Sequence, residues 1–214
     1  MKKYLIAIPC LDTMPTATVA ALTSMKRVGA VKHSFLSGSV IHDARNMLAK
    51  EAIESEADRI LFIDSDMYFE SDAMERLAAD LDDGKDFVCG LYFTRRFPMT
   101  PCIYNTIGVS NYSGIPRGFS KTYEPYPKDT LFEVAGCGFG MVMMNTQVII
   151  DVVNKYGPPF NPFEGVLGED LSFCHRARQL GYNLWCDSRI KVGHVGQFIY
   201  GEQHYQKEKD PGQA

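Results

Sequence analysis

Two carboxylates stand two residues apart at the end of an apolar run, where Ile60–Ile63 is followed directly by Asp64-Ser65-Asp66. In an extended chain residues i and i+2 point to the same side, so both carboxylates are expected to face one point. Without a cation there, the two groups repel each other and lose hydration energy. Magnesium is commonly held by one or two carboxylates while substrate phosphates complete its shell. The pattern therefore predicts a metal that carries a diphosphate.

Two further patterns contain residue types that can do chemistry. Glu169-Asp170 opens a predicted helix, where acidic side chains either act on a ligand or only complement the helix dipole. His194 stands between Gly193 and Gly196 after a predicted strand, and this glycine setting favours an exposed imidazole that can bind a metal. A structural role for a single histidine is the alternative.

Each of the remaining candidate motifs has two interpretations. Asp64-Ser65-Asp66 is also compatible with a capped turn before a helix, whereas an EF-hand is excluded because Tyr68 occupies the next alternate position. The segment Gly136–Gly140 lets the backbone approach a sugar closely, or marks a bulge or tight sheet packing. Arg95-Arg96 can bind phosphates or form solvated surface.

The composition is that of an ordinary globular protein. The chain has 214 residues, of which 45% are apolar and 22% charged, with a formal net charge of −4. This length predicts one domain, and the charge gives no general attraction to nucleic acid or to an anionic membrane. Six scattered cysteines without a Cys-x-x-Cys pair indicate neither a disulfide scaffold nor a zinc ribbon. Since no signal peptide or membrane span is recognisable, a cytoplasmic location is expected.

The elements that must position these residues alternate between strand and helix in the first half of the chain. This alternation predicts a mostly parallel sheet with helices on both faces. The pattern predicts strands at Tyr4–Ile8, Val31–Leu36 and Asp58–Ile63, and helices at Pro15–Val28, His42–Ser55 and from Ser71 to Leu81.

Shorter strands and loops are predicted in the second half. Residues 108–128 are rich in Gly, Ser, Pro and Tyr and predict a long, mobile loop. The later elements are a strand at Leu131–Met144, helices at Thr146–Lys155 and Glu169–Leu180, and one or two strands within Leu184–Val192. We expect one domain over residues 1–200 and a flexible tail over 201–214.

The motifs, taken in their order along the chain, resemble those of the GT-A glycosyltransferases, which use nucleotide-sugar donors. The resemblance covers nearly the whole chain and is closest to small, family-2-like bacterial and phage members. It rests on a first strand ending near Pro9, Asp43-Ala44-Arg45-Asn46 in a helix, Asp64-Ser65-Asp66 as the DXD motif, Gly90-Leu91-Tyr92-Phe93 followed by basic residues, the Gly-rich Ala135–Gly140, Glu169-Asp170, and His194.

The resemblance implies a single α/β domain of the GT-A type, which is Rossmann-like, with a mostly parallel central sheet flanked by helices. It also implies a hexosyl- or pentosyltransferase with a divalent metal, Mn or Mg. Asp66 and His194 would bind that metal, and Asp64 would touch the ribose or reach the metal through water. Asp170 would be the catalytic base of an inverting reaction, with Glu169 beside it. The donor-binding residues implied are Pro9, Cys10, Asp12, Arg45, Asp64, Ser65, Arg95 and Gly138.

Two other functions stay open at the level of sequence. One is a sugar nucleotidyltransferase, although no Gly-rich phosphate loop follows the first strand. The other is a module that binds a nucleotide sugar or a glycan without turnover, since a fold does not prove activity. The acceptor is equally open among a modified DNA base, a protein, a glycan and a small molecule.

Overall fold

A nine-stranded sheet separates two helical layers in residues 1–163, 166–196 and 199–202, which are the residues that the computed structural model describes. The strands of this sheet are β1 (Lys3–Pro9), β2 (Ala30–Leu36), β3 (Arg59–Ile63), β4 (Met67–Phe69), β5 (Phe87–Leu91), β8 (Leu131–Val134), β10 (Met141–Asn145), β11 (Leu184–Val195) and β12 (Ile199–Tyr200). A smaller, three-stranded sheet contains β6 (Ile103–Tyr112), β7 (Ile115–Thr122) and β9 (Gly136–Cys137). The helices are α1 (Thr16–Ser24), α2 (Ile41–Glu54), α3 (Ala73–Asp82), α4 (Thr146–Tyr156) and α5 (Glu169–Gln179).

The large sheet is mixed, with most of its central strands running in one direction. Its order is β12-β11-β5-β10-β3-β1-β2, and β4 and β8 also pair with β11. β1 is parallel to β2 and to β3, and β5 is parallel to β11. β10 lies in the middle and is antiparallel to both of its neighbours. The α/β prediction is therefore confirmed, with the correction that a reversed strand interrupts the parallel set.

The central strands are buried on both faces, so alternate residues belong to different cores. Leu5 and Ala7 of β1 lie in one hydrophobic cluster, whereas Ile6 and Ile8 lie in the other. The first cluster contains residues of α2, α4 and α5, and the second contains residues of α1 and α3. This confirms the expectation of helices on both faces, and the period of two along a strand is its cause.

The segment predicted as a long loop forms a β-hairpin instead. β6 and β7 pair in antiparallel register from Tyr104↔Thr122 to Tyr112↔Ile115. The turn between them has positive φ angles at Ser113 (53°) and Gly114 (82°), as a two-residue hairpin turn requires. The prediction of an irregular loop was wrong for most of residues 108–128, because a polar, Gly-rich composition hid the strand pairing. The predicted mobility of this segment stays a prediction.

Other boundaries also differ from the prediction. The single strand expected over Leu131–Met144 is divided into β8, β9 and β10. The first helix ends at Ser24 because Met25 adopts an extended conformation, with ψ 124°. Of the predicted tail, Gly201 and Glu202 are described and residues 203–214 lie outside the described residues. Within the described part of the chain, no helix is long and apolar enough to cross a membrane.

Candidate functional site

A cavity of ≈ 380 Å³ opens where β1 and β3 end, and both predicted strand-end carboxylates line it. Asp64 and Asp66 occupy the turn between β3 and β4, in which the Met67 N–H donates to the Asp64 carbonyl at 3.2 Å. This is the edge of an α/β sheet at which ligands commonly bind. The cavity is lined by Pro9, Cys10, Leu11, Ser39, Ile41, Ala44, Asp64, Ser65, Asp66, Arg95 and His194.

One carboxylate oxygen of Asp66 faces both a histidine and an arginine. Its Oδ2 lies 3.4 Å from Nε2 of His194 and 2.8 Å from Nη1 of Arg95. Burial of Asp66 acts to raise its pKa, but the hydrogen bond and charge of His194 and the charge of Arg95 outweigh burial and lower it. Asp66 is therefore held as a carboxylate on the cavity wall.

His194 is held in a fixed orientation by the strand that contains it. It lies inside β11, which pairs with β4 and β12 at this point, and its side chain is 15% exposed, so the expected exposed position after a strand was wrong. Its Nδ1 lies 3.0 Å from the carbonyl oxygen of Phe93 and must donate, because a carbonyl oxygen only accepts. The Nε2 atom is thereby aimed at Asp66. Metal-binding histidines are usually oriented by a hydrogen bond of this kind.

Two residues at the cavity offer atoms of the types that bind divalent metals, and a substrate would have to supply the remaining ligands. Across the described residues, no group of three or more His, Cys, Asp or Glu side chains is arranged to hold a metal. His194 Nε2 and Asp66 Oδ2 are separated by 3.4 Å, and neighbouring ligands of an octahedral magnesium ion are about 3 Å apart. These two atoms therefore suit adjacent coordination positions. Phosphate oxygens and water would supply the others.

Asp64, which was predicted to touch the ribose or to reach the metal through water, is paired with a buried arginine. Arg45 of α2 has a side chain that is 2% exposed, and its Nη2 donates to Oδ1 of Asp64 at 2.8 Å. Its Nη1 donates to Glu169 at 2.9 Å and also to Asp170. Burial acts to lower the pKa of Arg45, but the charges of Asp170, Asp64 and Glu169 raise this pKa by more than burial lowers it. The guanidinium therefore stays protonated. One cation thus links β3 to the start of α5.

The carboxyl of Asp170 has a pKa that is raised close to neutral pH. Burial raises its pKa to about 7, Glu169 and Asp64 act in the same direction, and Arg45 opposes them. Its Oδ2 accepts a hydrogen bond from the Phe139 N–H at 3.3 Å. Burial likewise raises the pKa of Asp64 despite its pairing with Arg45. A carboxyl with a pKa near 7 can exchange a proton with a bound hydroxyl at neutral pH.

The other predicted donor-binding residues divide into two groups. Pro9, Cys10, Ser65 and Arg95 line the cavity. The described residues that line it do not include Asp12, Arg45 or Gly138. Contact of these three with a donor stays a prediction, and so do the catalytic roles of Asp170 and Glu169.

Two of the three glycines of the segment 136–140, Gly138 and Gly140, are explained by close packing that includes one tyrosine. A Cβ atom on Gly138 would lie 1.9 Å from Oη of Tyr92, and one on Gly140 would lie 2.9 Å from Cζ of the same ring. The Tyr92 ring also meets the edge of His194, with ring centroids 5.6 Å apart. Of the two interpretations of this segment, tight packing accounts for both glycines.

Sequence reasoning did not identify Arg45 as the link between the two acidic motifs, nor Tyr92 as a neighbour of His194. Arg45 and Asp170 are separated by 125 positions, so no local pattern could indicate their contact. In the sequence, the run Gly90-Leu91-Tyr92-Phe93 indicates only a likeness to a family motif. The sequence did contain one indication for Arg45, because this charged residue interrupts an otherwise apolar face of a predicted helix. That pattern does not indicate which residues Arg45 contacts.

Comparison with known proteins gives a fold relationship. No family model matches the sequence, and no curated protein matches it significantly. The fold is similar to that in the crystal structure of A197 from STIV, with 18% sequence identity and a TM-score of 0.66. The similarity covers 99% of this chain and 100% of that chain. At this identity, it shows a shared α/β architecture.

Proposed function

We propose that the protein is a metal-dependent glycosyltransferase that moves a sugar from a nucleoside-diphosphate sugar to an acceptor hydroxyl. One observation carries the proposal. Asp66 and His194 aim adjacent ligand atoms at a cavity beside the sheet edge, and Arg45 connects this cavity to Asp170, a carboxyl with a pKa of about 7. A diphosphate site and a base held next to each other are the two parts that sugar transfer requires.

The sugar donor would bind in the cavity. Its ≈ 380 Å³ falls within the range usual for small-molecule sites. A divalent metal on Asp66 and His194 would stabilise the negative charge that develops on the departing diphosphate. The Arg95 guanidinium on the same wall is suited to a phosphate oxygen, because its planar donors match that group. Pro9 and Cys10 line the part of the cavity next to β1, where the nucleoside is expected.

The acceptor side belongs to the start of α5. Asp170 would take the proton of the acceptor hydroxyl, which is a poor nucleophile until that proton is removed. Arg45 and the Phe139 N–H hold its two oxygens, so the base has a defined position. Attack from the face opposite the diphosphate would invert the anomeric centre. Glu169 shares Arg45 with Asp170 and keeps the pKa of Asp170 raised.

Binding without turnover is the second candidate, and the ion pair between Arg45 and Asp170 favours it. Arg45 occupies one oxygen of Asp170 and acts to lower its pKa, which opposes its use as a base. The released product separates the alternatives. Transfer or slow hydrolysis of the donor releases a nucleoside diphosphate, a nucleotidyltransferase releases pyrophosphate, and a binding module releases neither.

The test is a panel of UDP-, GDP- and dTDP-sugars, each added with Mn²⁺. We expect one donor to raise the melting temperature only when Mn²⁺ is present, because binding to the native state stabilises it. We also expect slow release of its nucleoside diphosphate. Asp66→Ala and His194→Ala should abolish both effects. Asp83→Asn changes a carboxylate whose side chain is 83% exposed and is the matched control.

Unchanged donor affinity in the presence of a chelator, or in Asp66→Ala, would contradict the metal assignment. A panel in which no sugar nucleotide binds would contradict the proposed donor class. Binding of one donor without release of any nucleotide, with a broad range of added acceptors, would favour the binding module.

A further inference from the structure

We propose that Arg95 is a displaceable counter-cation: it neutralises Asp66 while the site is empty, gives way to the metal, and then binds the diphosphate that arrives with it. The inference rests on the proposed function, since it concerns the same metal and the same diphosphate. It adds an order of events and a role for a residue that forms an ion pair with a carboxylate of the site.

The position of the guanidinium carries the first step. Arg95 Nη1 lies 2.8 Å from Asp66 Oδ2, which is the oxygen that also faces His194 Nε2 at 3.4 Å. The same nitrogen donates to the Val195 carbonyl at 3.2 Å. A metal bound by Asp66 and His194 needs a place between these ligand atoms. Arg95 supplies positive charge to the same Asp66 oxygen, so the guanidinium and the metal compete for it.

The two arginines of the site differ in how easily they can leave their partners. Arg45 is 2% exposed and is fixed by three carboxylates. The Arg95 side chain is 47% exposed and lies in the connection between β5 and β6. Breaking a half-exposed ion pair costs little, whereas removing the partner of a buried charge costs much more. Arg45 is therefore the permanent counter-ion of Asp64, and Arg95 is the exchangeable counter-ion of Asp66.

Exchange explains how the acid pair tolerates an empty site. Each carboxylate of Asp64-Ser65-Asp66 already has a cation, so neither needs a metal for neutrality. Metal alone must displace a guanidinium and should bind weakly. Metal with a diphosphate gives the displaced guanidinium a new anionic partner, and a planar guanidinium can hold phosphate oxygens with two parallel hydrogen bonds. Metal and diphosphate should thus bind with positive coupling through Arg95.

The test uses Arg95→Met, which removes the charge but keeps an extended side chain, and two binding measurements. The first is Mn²⁺ alone, followed by water proton relaxation. The second is inorganic pyrophosphate in the presence of Mn²⁺, followed by calorimetry. We expect Arg95→Met to tighten Mn²⁺ binding about twofold to fivefold, because an exposed competitor has been removed. We expect the same variant to weaken pyrophosphate binding about tenfold or more.

Two further variants show whether the effect depends on position and charge. Arg96→Met removes the same charge from the exposed neighbouring residue, and it should leave the affinity for Mn²⁺ alone unchanged. Arg95→Lys keeps the charge and should bind Mn²⁺ alone like the wild type. It should restore only part of the pyrophosphate affinity, since lysine offers no planar pair of donors.

Opposite shifts of the two affinities in Arg95→Met are the signature of exchange. Unchanged or weaker Mn²⁺ binding in that variant, or an equal tightening in Arg96→Met, would overturn the inference. If wild-type donor turnover required Mn²⁺ while the Mn²⁺ affinity of Arg95→Met stayed at the wild-type value, the inference would fail and the proposed function would stand. If Arg95→Met showed the opposite shifts but no donor turned over, the proposed function would fail and the exchange would stand.

Discussion

Asp170 combines a raised pKa with hydrogen bonds to both of its oxygens. Burial raises this pKa to about 7, and Arg45 keeps it from rising further. A general base works best when its pKa lies near the operating pH, because it is then both deprotonated and basic. Arg45 therefore has two effects on the proposed reaction: it positions the base and sets its strength. The residue-scale expectation is a reaction that depends on pH near neutrality.

At saturating donor and Mn²⁺, the rate of nucleoside diphosphate release should rise with pH through about 7. The reason is that Asp170 is protonated below its pKa and cannot accept a proton there. Asp170→Asn keeps the shape of the side chain without its basicity, so it should lower the rate about a hundredfold or more and leave donor affinity intact. Stopped assays across pH 5.5–8.5 measure both effects. A flat wild-type profile, near-normal turnover by the variant, or retained anomeric configuration in the product would contradict the mechanism.

The residues of the site could be predicted individually, but most of their contacts could not. Asp64, Asp66 and His194 were identified by residue type and local sequence, and all three line the cavity. The pairing of Asp64 with Arg45 and of Asp66 with Arg95 was not predicted, because it depends on how α2 and the connection after β5 dock on the sheet. The sequence indicated that the two carboxylates need a cation. It could not indicate that arginines fill that need.

The connection between β9 and β10 shows how one element positions the site through packing. Gly138 fits under the Tyr92 hydroxyl, and the next residue, Phe139, donates its N–H to Asp170. The Phe139 ring in turn lies against Phe62 of β3 and under the Arg45 guanidinium, 5.4 Å from the ring centroid. A displacement of this backbone would therefore move Asp170 as well as the core.

Gly138→Ala should destabilise the protein by about 1–3 kcal/mol, because its Cβ would lie 1.9 Å from Tyr92 Oη in a packed interior. Tyr92→Phe removes that oxygen, so the double variant should lose less stability than the sum of the two single variants. Urea unfolding measures the cycle. Gly168→Ala is the control, since a Cβ there meets no atom within 4 Å. Additive losses in the double variant would show that the Tyr92 hydroxyl is not what excludes a side chain at position 138.

The elements themselves were predictable where a periodic pattern existed. β1, β3, α2 and α4 follow from apolar runs or helical spacing, and each lies close to its expected range. The direction of β10 was not predictable, because a five-residue strand buried on both faces has no sequence signal for its orientation. The β6–β7 hairpin was missed because its strands contain Gly, Ser, Thr and Asn at positions where alternation is usually apolar.

At the scale of the whole molecule, Asp80 is a second buried carboxyl whose protonation is expected to affect the stability of the folded protein. Asp80 of α3 is 8% exposed, and its Oδ2 has no hydrogen-bond partner among the described residues. Burial raises its pKa to about 6, and the fully buried Asp187 of β11 adds to the rise, while Arg189 and Lys85 oppose it. A hydrogen bond with Asp187, which is available only when one of the two carboxyls is protonated, also raises the pKa of Asp80. Folding therefore favours the protonated form of Asp80.

The sign of the resulting pH dependence follows from proton uptake. Between the ordinary aspartate pKa of 3.8 and the folded-state pKa of about 6, the folded protein retains a proton that the unfolded chain has lost. The stability contributed by Asp80 is therefore complete below the lower pKa and is lost as the pH rises through about 6. Above that range, the folded state contains two neighbouring carboxylates in a buried position, which is unfavourable.

Asp80→Asn should raise the free energy of unfolding by about 1–2 kcal/mol more at pH 8 than at pH 5, because at pH 5 only part of the Asp80 contribution has been lost. The asparagine amide can donate to Asp187 at every pH, as the protonated aspartate does only at low pH, and each pKa unit corresponds to about 1.4 kcal/mol before screening is considered. Urea unfolding at the two pH values measures the difference. Asp83→Asn, at an exposed position one turn away, should show no such difference. One contrary result is a difference in free energy of unfolding between the variant and the wild type that is the same at both pH values, and another is a variant that is less stable than the wild type at pH 8. Either result would show that Asp80 is not protonated in the folded protein.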